Sequence, residues 1–149
     1  MKRTRFANII CLILCASILF ACPAEAKILW NAKPFKKFSV GTMNLKKVTN
    51  EGLILTDSYW DGVPDLFLSE CKVTGTAGVG SRIRYKLKKG YTVKMYLYYR
   101  TGGKLKKQRL KSGSKLKSWT IGDSFIKMLV KKGKYKSYLV IYNDFPDGE

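Results

Sequence analysis

Between Arg82 and Arg100 the chain reads RIRYKLKKGYTVKMYLYYR, two segments in which residue character changes with every step. A period of two is the signature of β-strands with one buried face, because successive side chains point to opposite sides of the backbone. In the first segment Ile83, Tyr85 and Leu87 fall on one face, and Arg82, Arg84, Lys86 and Lys88 on the other. In the second, Val93, Met95, Leu97 and Tyr99 oppose Lys94, Tyr96, Tyr98 and Arg100. Lys89-Gly90 lies between them and predicts a hairpin turn. The stripe therefore constrains the fold to a sheet with an apolar side and a cationic, tyrosine-bearing side.

The flanking sequence extends the same pattern. Short strands are expected near Phe38 to Met43, at Gly52 to Thr56, from Leu66 to Thr74, from Leu105 to Leu110, and over Leu116 to Ile121 with Trp119. Thr101-Gly102-Gly103-Lys104 is a strong hairpin signal, since two glycines supply the positive φ that tight turns demand. Ser124 to Lys132 admits two readings. Asp123 and Ser124 could cap a helix ending at Gly133, or Ile126, Met128 and Val130 could alternate along a strand that turns at Lys132-Gly133 into Tyr135–Tyr142. Strand-like neighbours and turns about every ten residues favour the strand. The expected fold is all-β, a sandwich or barrel of about eight strands. Asn143 to Glu149 reads as an acidic, frayed tail.

The amino terminus carries Lys2, Arg3 and Arg5, then an apolar run from Ile9 to Ala21, then Ala24-Glu25-Ala26. That order is a secretory signal peptide over residues 1–26, leaving one domain over 27–149 that is secreted, extracellular or held in the cell envelope. Leu19-Phe20-Ala21-Cys22 also resembles a lipobox, the competing reading, in which Cys22 is lipidated. Cys11, Cys15 and Cys22 fall within that leader, so the domain keeps Cys71 alone and forms no internal disulfide.

Charge narrows the partner. The chain holds 29 Lys or Arg against 10 Asp or Glu, and 20 of those cations lie between Lys72 and Tyr142 with a single acid, Asp123. A field of one sign over one half of a chain steers polyanions. High charge that only maintains solubility is the plainer alternative, but it needs no such asymmetry. The chain has no histidine, which removes imidazole-activated nucleophiles, most zinc sites and a pH switch near neutrality.

The candidate ligand-binding residues are Arg84, Lys94, Tyr96, Tyr98, Arg100, Tyr138 and Tyr142. Tyrosine rings stack on sugar faces or bases, and Arg offers paired donors to sulfate, phosphate or carboxylate. The competing reading is that tyrosines on both faces of a covered strand are simply core. Trp119, at strand spacing from Ile121, reads as core; Trp60 lies in the loop Asp57 to Asp65. No cofactor is expected, although Asp57, Asp61 and Asp65 could together hold calcium, which takes oxygen ligands. Gly75, Gly78 and Gly80 read as a connection rather than a phosphate loop, because no Lys-Ser or Lys-Thr follows. The basic runs Lys104 to Lys111 and Lys131 to Lys136 would add salt-dependent attraction.

The succession KVTGTAGVGSRIRYKLKKGYTVKMYLYYRTGG, followed after a spacer by SWTIGDSFIKMLVKKGKYKSYLVIYND, resembles the galactose-binding-like jelly rolls that serve as carbohydrate-binding modules. The resemblance implies an eight- or nine-strand sandwich that binds glycans on a concave sheet or at loop tips, so that of the two architectures the expected one is a single antiparallel β-sandwich, jelly-roll-like, of about eight strands. Together with the charge it points to a non-catalytic exported module for an anionic polysaccharide or cell-wall polymer, with intracellular nucleic acid excluded by export. Two other classes stand beside it: a small polysaccharide lyase using Tyr as base and Arg or Lys to neutralise a uronate, and a cationic effector or bacteriocin acting on anionic membrane surfaces.

Overall fold

A computed structural model describes residues 33–49 and 68–143. They form eight strands and no helix: β1 (Phe35–Val40), β2 (Met43–Thr49), β3 (Leu68–Thr74), β4 (Ile83–Leu87), β5 (Thr92–Thr101), β6 (Lys104–Leu110), β7 (Ser124–Lys132) and β8 (Tyr135–Tyr142). All belong to one sheet of order β4-β1-β2-β3-β8-β7-β5-β6. The all-β expectation holds, and Ser124–Lys132 is a strand rather than a helix. The sheet is not antiparallel throughout, because β3 and β8 run parallel, with Leu68 opposite Tyr138.

The sheet curls until its two ends communicate. As the chain leaves β6 it crosses to β4, where the Ile83 N–H donates to the Ser114 carbonyl and the Gly113 N–H to the Ile83 carbonyl, both at 2.8 Å. The Leu116 N–H then reaches the Ser81 carbonyl at 2.9 Å. These bonds satisfy part of an edge that would otherwise offer bare backbone to other chains.

The alternation of β5, β7 and β8 builds the interior. Met95 and Leu97, Ile126, Met128 and Val130, and Leu139 and Ile141 all point inward and are fully buried. Each such side chain contributes about 1.5–3 kcal/mol on leaving water. Phe35, Phe38, Val40 and Met43 complete this core from the first hairpin, and Trp119 packs half-buried against it. One tight turn follows its sequence signal closely. Gly102 and Gly103 both have positive φ (57° and 71°) between the paired residues Thr101 and Lys104, as the two-residue hairpin turn requires.

Two further expectations are corrected. First, β4 and β5 are not a hairpin. Gly90 does turn the chain at φ 84°, but β4 pairs with β1, whereas β5 has both edges taken by β7 and β6. A five-residue strand could satisfy only half of the ten-residue β5, so the longer partners win, with seven pairs to β6 and eight to β7. Second, Leu116 to Ile121 is irregular, and the one bridge nearby, between Arg82 and Lys115, lies just before it. Here the Gln108 side chain stands in for a ladder partner: its amide N–H donates to the Lys115 carbonyl at 2.8 Å and its oxygen accepts from the Lys117 N–H at 3.0 Å. Gly75 lies in the connection expected between strands, and its packing there requires a glycine. Its φ is +83°, and a Cβ there would lie 2.3 Å from the Thr42 carbonyl oxygen. The adjoining Thr42 hydroxyl donates to the Thr76 carbonyl at 3.0 Å. The leader and Cys22, the strand at 52–56, the Asp57–Asp65 loop with Trp60 and its candidate calcium ligands, and the tail beyond Asn143 lie outside the described residues.

Two outcomes follow. Gly75→Ala should destabilise the protein by about 2 kcal/mol or more, combining left-handed strain with a backbone clash, whereas Gly78→Ala, with nothing within 4 Å of its new Cβ, should stay within about 0.5 kcal/mol in urea unfolding. Cys71 is buried and free. Burial, with the neighbouring Glu70 carboxylate adding to it, pushes its thiol up from 9.0 to about 12. Between those values the folded chain keeps a proton that the unfolded chain loses. That contribution to stability, intact below pH 9, should therefore fall by about 1.4 kcal/mol per pH unit from 9 toward 12, and a Cys71→Ala variant unfolded across the same pH series should have a slope smaller by that amount.

Candidate functional site

The outer face of β6, β5, β7, β8 and β3 carries three cross-strand rows. Register places Lys107, Tyr98, Phe125 and Tyr142 in one row. Arg109, Tyr96, Lys127, Val140 and Glu70 form the next. Lys94, Leu129 and Tyr138 form the third. Alternation along β5 and β8 makes Tyr96, Tyr98, Tyr138 and Tyr142 share this face, and β7 between them makes it continuous. Such directly opposed side chains are the unit of sheet stabilisation.

Of the residues singled out from sequence, Lys94 is exposed, Tyr96, Arg100, Tyr138 and Tyr142 are half-buried, and Tyr98 is buried. The Tyr98 ring stacks on Phe125 at 5.1 Å with planes 10° apart. Phe125 in turn meets Tyr142 at 5.9 Å. Tyr98, Phe125 and Val140 thus form a second, smaller apolar cluster on the opposite side of the sheet from the main core. Arg84 stands apart. It lies on β4 beside Ser39 of β1, at the other end of the strand order from β5.

Three contributors are missing from the candidate residues above, one of them, Lys107, legible in sequence only as part of the basic run Lys104 to Lys111. Lys107 places its ammonium 4.5 Å from the Tyr96 ring centroid and 5.8 Å from that of Tyr98, a cation–π contact worth about 0.5–1 kcal/mol at an exposed site. Lys127 is only 7% exposed, with its ammonium 5.2 Å from the Tyr138 ring. Phe125 supplies the stacking surface. A signal for the last two existed in the outward positions 125, 127 and 129, opposite Ile126, Met128 and Val130. Lys107 could be placed only by the β5–β6 register.

The electrostatics are one-sided. Residues 33–49 and 68–143 contain 25 Lys or Arg and two acids, Glu70 and Asp123. Lys72 and Glu70 form an exposed ion pair at 3.2 Å, a geometry that contributes little in water. Among the described residues no group of three His, Cys, Asp or Glu is arranged to hold a metal. The face therefore offers ammonium and guanidinium groups beside phenol rings, which can attract anions and stack on flat ligands. No family model matches the chain, and no curated protein or solved structure matches it.

Burial divides these residues into those that hold the face and those that present it. Tyr98→Ala should lower stability by about 3 kcal/mol, the range for an aromatic removed from a packed cluster. Lys94→Ala should change it by less than about 0.5 kcal/mol in the same urea titrations.

Proposed function

We propose that the protein is a non-catalytic, exported binding module for an anionic polymer, an acidic polysaccharide or cell-wall polyanion, held on the outer face of β5, β7 and β8 and the adjoining strand β6. The observation that carries the reading is the juxtaposition of half-buried Tyr96 with Lys107 over its ring and with Arg109 and Lys94 around it. Lysines and arginines neutralise regularly spaced anionic groups, while Tyr96, framed by Tyr138 and Tyr142, gives a sugar ring a flat surface. Tyr98 and Phe125 act from beneath by fixing the frame. The proposal keeps the family resemblance and its sandwich architecture as part of the same reading. Binding is preferred to lyase chemistry because the assembled groups are cations and phenols on a broad sheet face, which suit attraction along a polymer.

Affinity for a polysulfated or polyuronic glycan should fall steeply as salt rises from about 50 to 200 mM, as expected when several charges release counterions together. Lys107→Gln and Arg109→Gln should each shallow the salt slope by about one. Tyr96→Ala should weaken binding about three- to tenfold, in line with loss of one aromatic or cation–π contact. Isothermal titration at several salt concentrations checks all three, and salt-insensitive binding to a neutral glycan would overturn the polyanion assignment.

A further inference from the structure

The first hairpin opens where a regular one would close. β1 and β2 pair only at Ser39 with Asn44 and Val40 with Met43, although both strands run on for several residues. Carried further, that register would set Lys37 against Lys46 and Lys36 against Lys47, and like charges placed directly opposite destabilise a sheet. The ladders on either side give way instead. The β1 register with β4 shifts between Phe35 and Lys37, and the β2 register with β3 shifts between Leu45 and Lys47. Lys36 and Lys46 are the extra residues, and a bulge re-aims the side chain it carries.

The parted strands leave a concavity of about 120 Å³, lined by Lys33, Lys36, Lys37, Lys46 and Lys47 over apolar side chains of the core. All five lysines are exposed. Neither acid of the described residues serves them: Glu70 pairs with Lys72 at 3.2 Å, and Asp123 precedes β7. Two more lysines flank the group, Lys86 opposite Lys37 and Lys72 opposite Lys47. Lysines that only guard a strand edge need not converge on one hollow, and a hollow that gathers five uncompensated cations selects an anion.

The lining narrows the choice of anion. No hydroxyl, amide or guanidinium side chain faces the hollow, so it lacks the directed hydrogen bonds that select a sugar and the planar fork that matches a carboxylate. Lysine is a compact point charge and a common phosphate binder. A cavity of roughly 150 Å³ admits one benzene ring; this smaller one suits a single tetrahedral group better than a sugar with its hydroxyls. A phosphate monoester carries about −1.5 to −2 charge at neutral pH, so several lysines favour it over a singly charged sulfate ester. We infer that the seam between β1 and β2 binds the dianionic phosphate of a phosphate monoester, whose oxygens bridge lysines of the two strands where backbone pairing stops. The site is separate from the tyrosine face and does not rest on the role proposed for that face.

An NMR titration of the isotope-labelled chain with methyl phosphate, at constant ionic strength, tests this. Amide shifts should centre on residues 35–38 and 45–48, and the affinity should exceed that for methyl sulfate by about fivefold or more. Between about pH 5 and 7.5 it should rise about three- to tenfold, as the ester loses its second proton near pH 6; the chain has no histidine, the side chain that ordinarily titrates in that range. Lys36→Gln combined with Lys47→Gln should weaken binding about three- to tenfold. Lys117→Gln combined with Lys134→Gln, an equal loss of charge at exposed positions elsewhere, should change it by less than about twofold. Shifts centred on β5 to β7 or spread over every lysine-bearing strand, equal affinity for methyl sulfate, an affinity unchanged with pH, or an equal loss in the two double variants would each overturn the inference.

Discussion

The pairing of β7 with β5 and β8 is the constraint on which the rest of the structure depends. Eight residue pairs join β7 to β5 and eight join it to β8, leaving β7 with no free edge. A one-residue slip in either ladder would exchange its two faces. Ile126, Met128 and Val130 would then leave the core and Lys127 would enter it. That penalty, a buried ammonium inside an aliphatic interior in place of three fully buried side chains, fixes the register. The same register decides which side chains of β5 and β8 meet on the outside, so one set of hydrogen bonds determines both the core and the candidate binding face.

What could be seen in the sequence was whatever depends on local periodicity. The alternation of Val93 to Arg100 assigned its faces correctly, Thr101-Gly102-Gly103-Lys104 gave the β5–β6 turn, and Lys132-Gly133 gave the turn into β8, with Lys132 paired to Tyr135. Non-local choices were not visible. Nothing in Ile83–Leu87 states that it will pair with β1 rather than the strand immediately following it. Gly90 marks a turn in either case; the outcome rests on competition for the edges of β5, which involves residues up to forty positions away. Leu116 to Ile121 failed for another reason. Its apolar spacing suits a strand, but the Gln108 side chain satisfies the backbone there, and periodicity carries no information about side-chain capping of an unpaired segment.

The site was legible to the same degree. Alternation put Lys94, Tyr96, Tyr98 and Arg100 on one face, and that holds. It could not rank them by exposure, because ring burial depends on Phe125 and Tyr142 from two other strands. Nor could it show that Tyr138 and Tyr142 stand one strand removed from Tyr96 and Tyr98, or that Arg84 lies with β1. Lys127 was hidden for a related reason. A lysine in a strand is normally read as marking the solvated side, yet here the outward side of β7 is flanked by aromatic rows from both neighbours.

Cations and rings on this face are mutually dependent. Twenty-five basic residues over the described segments repel one another, and a sheet with like charges directly opposed loses stability. Lys37 faces Lys86 and Lys131 faces Lys136 in the ladders. Placing an ammonium over a ring, as Lys107 over Tyr96, Lys127 over Tyr138 and Lys132 over Tyr91 do, gives part of that charge a polarisable neighbour without introducing a carboxylate. A carboxylate would cancel the attraction for anions; a tyrosine leaves it intact. Tyrosine is also among the better strand formers, so it stabilises the sheet and tolerates the charge at one position. A strand such as KMYLYYR, whose outward positions read cation, phenol, phenol, cation, can therefore fold without cancelling its positive field.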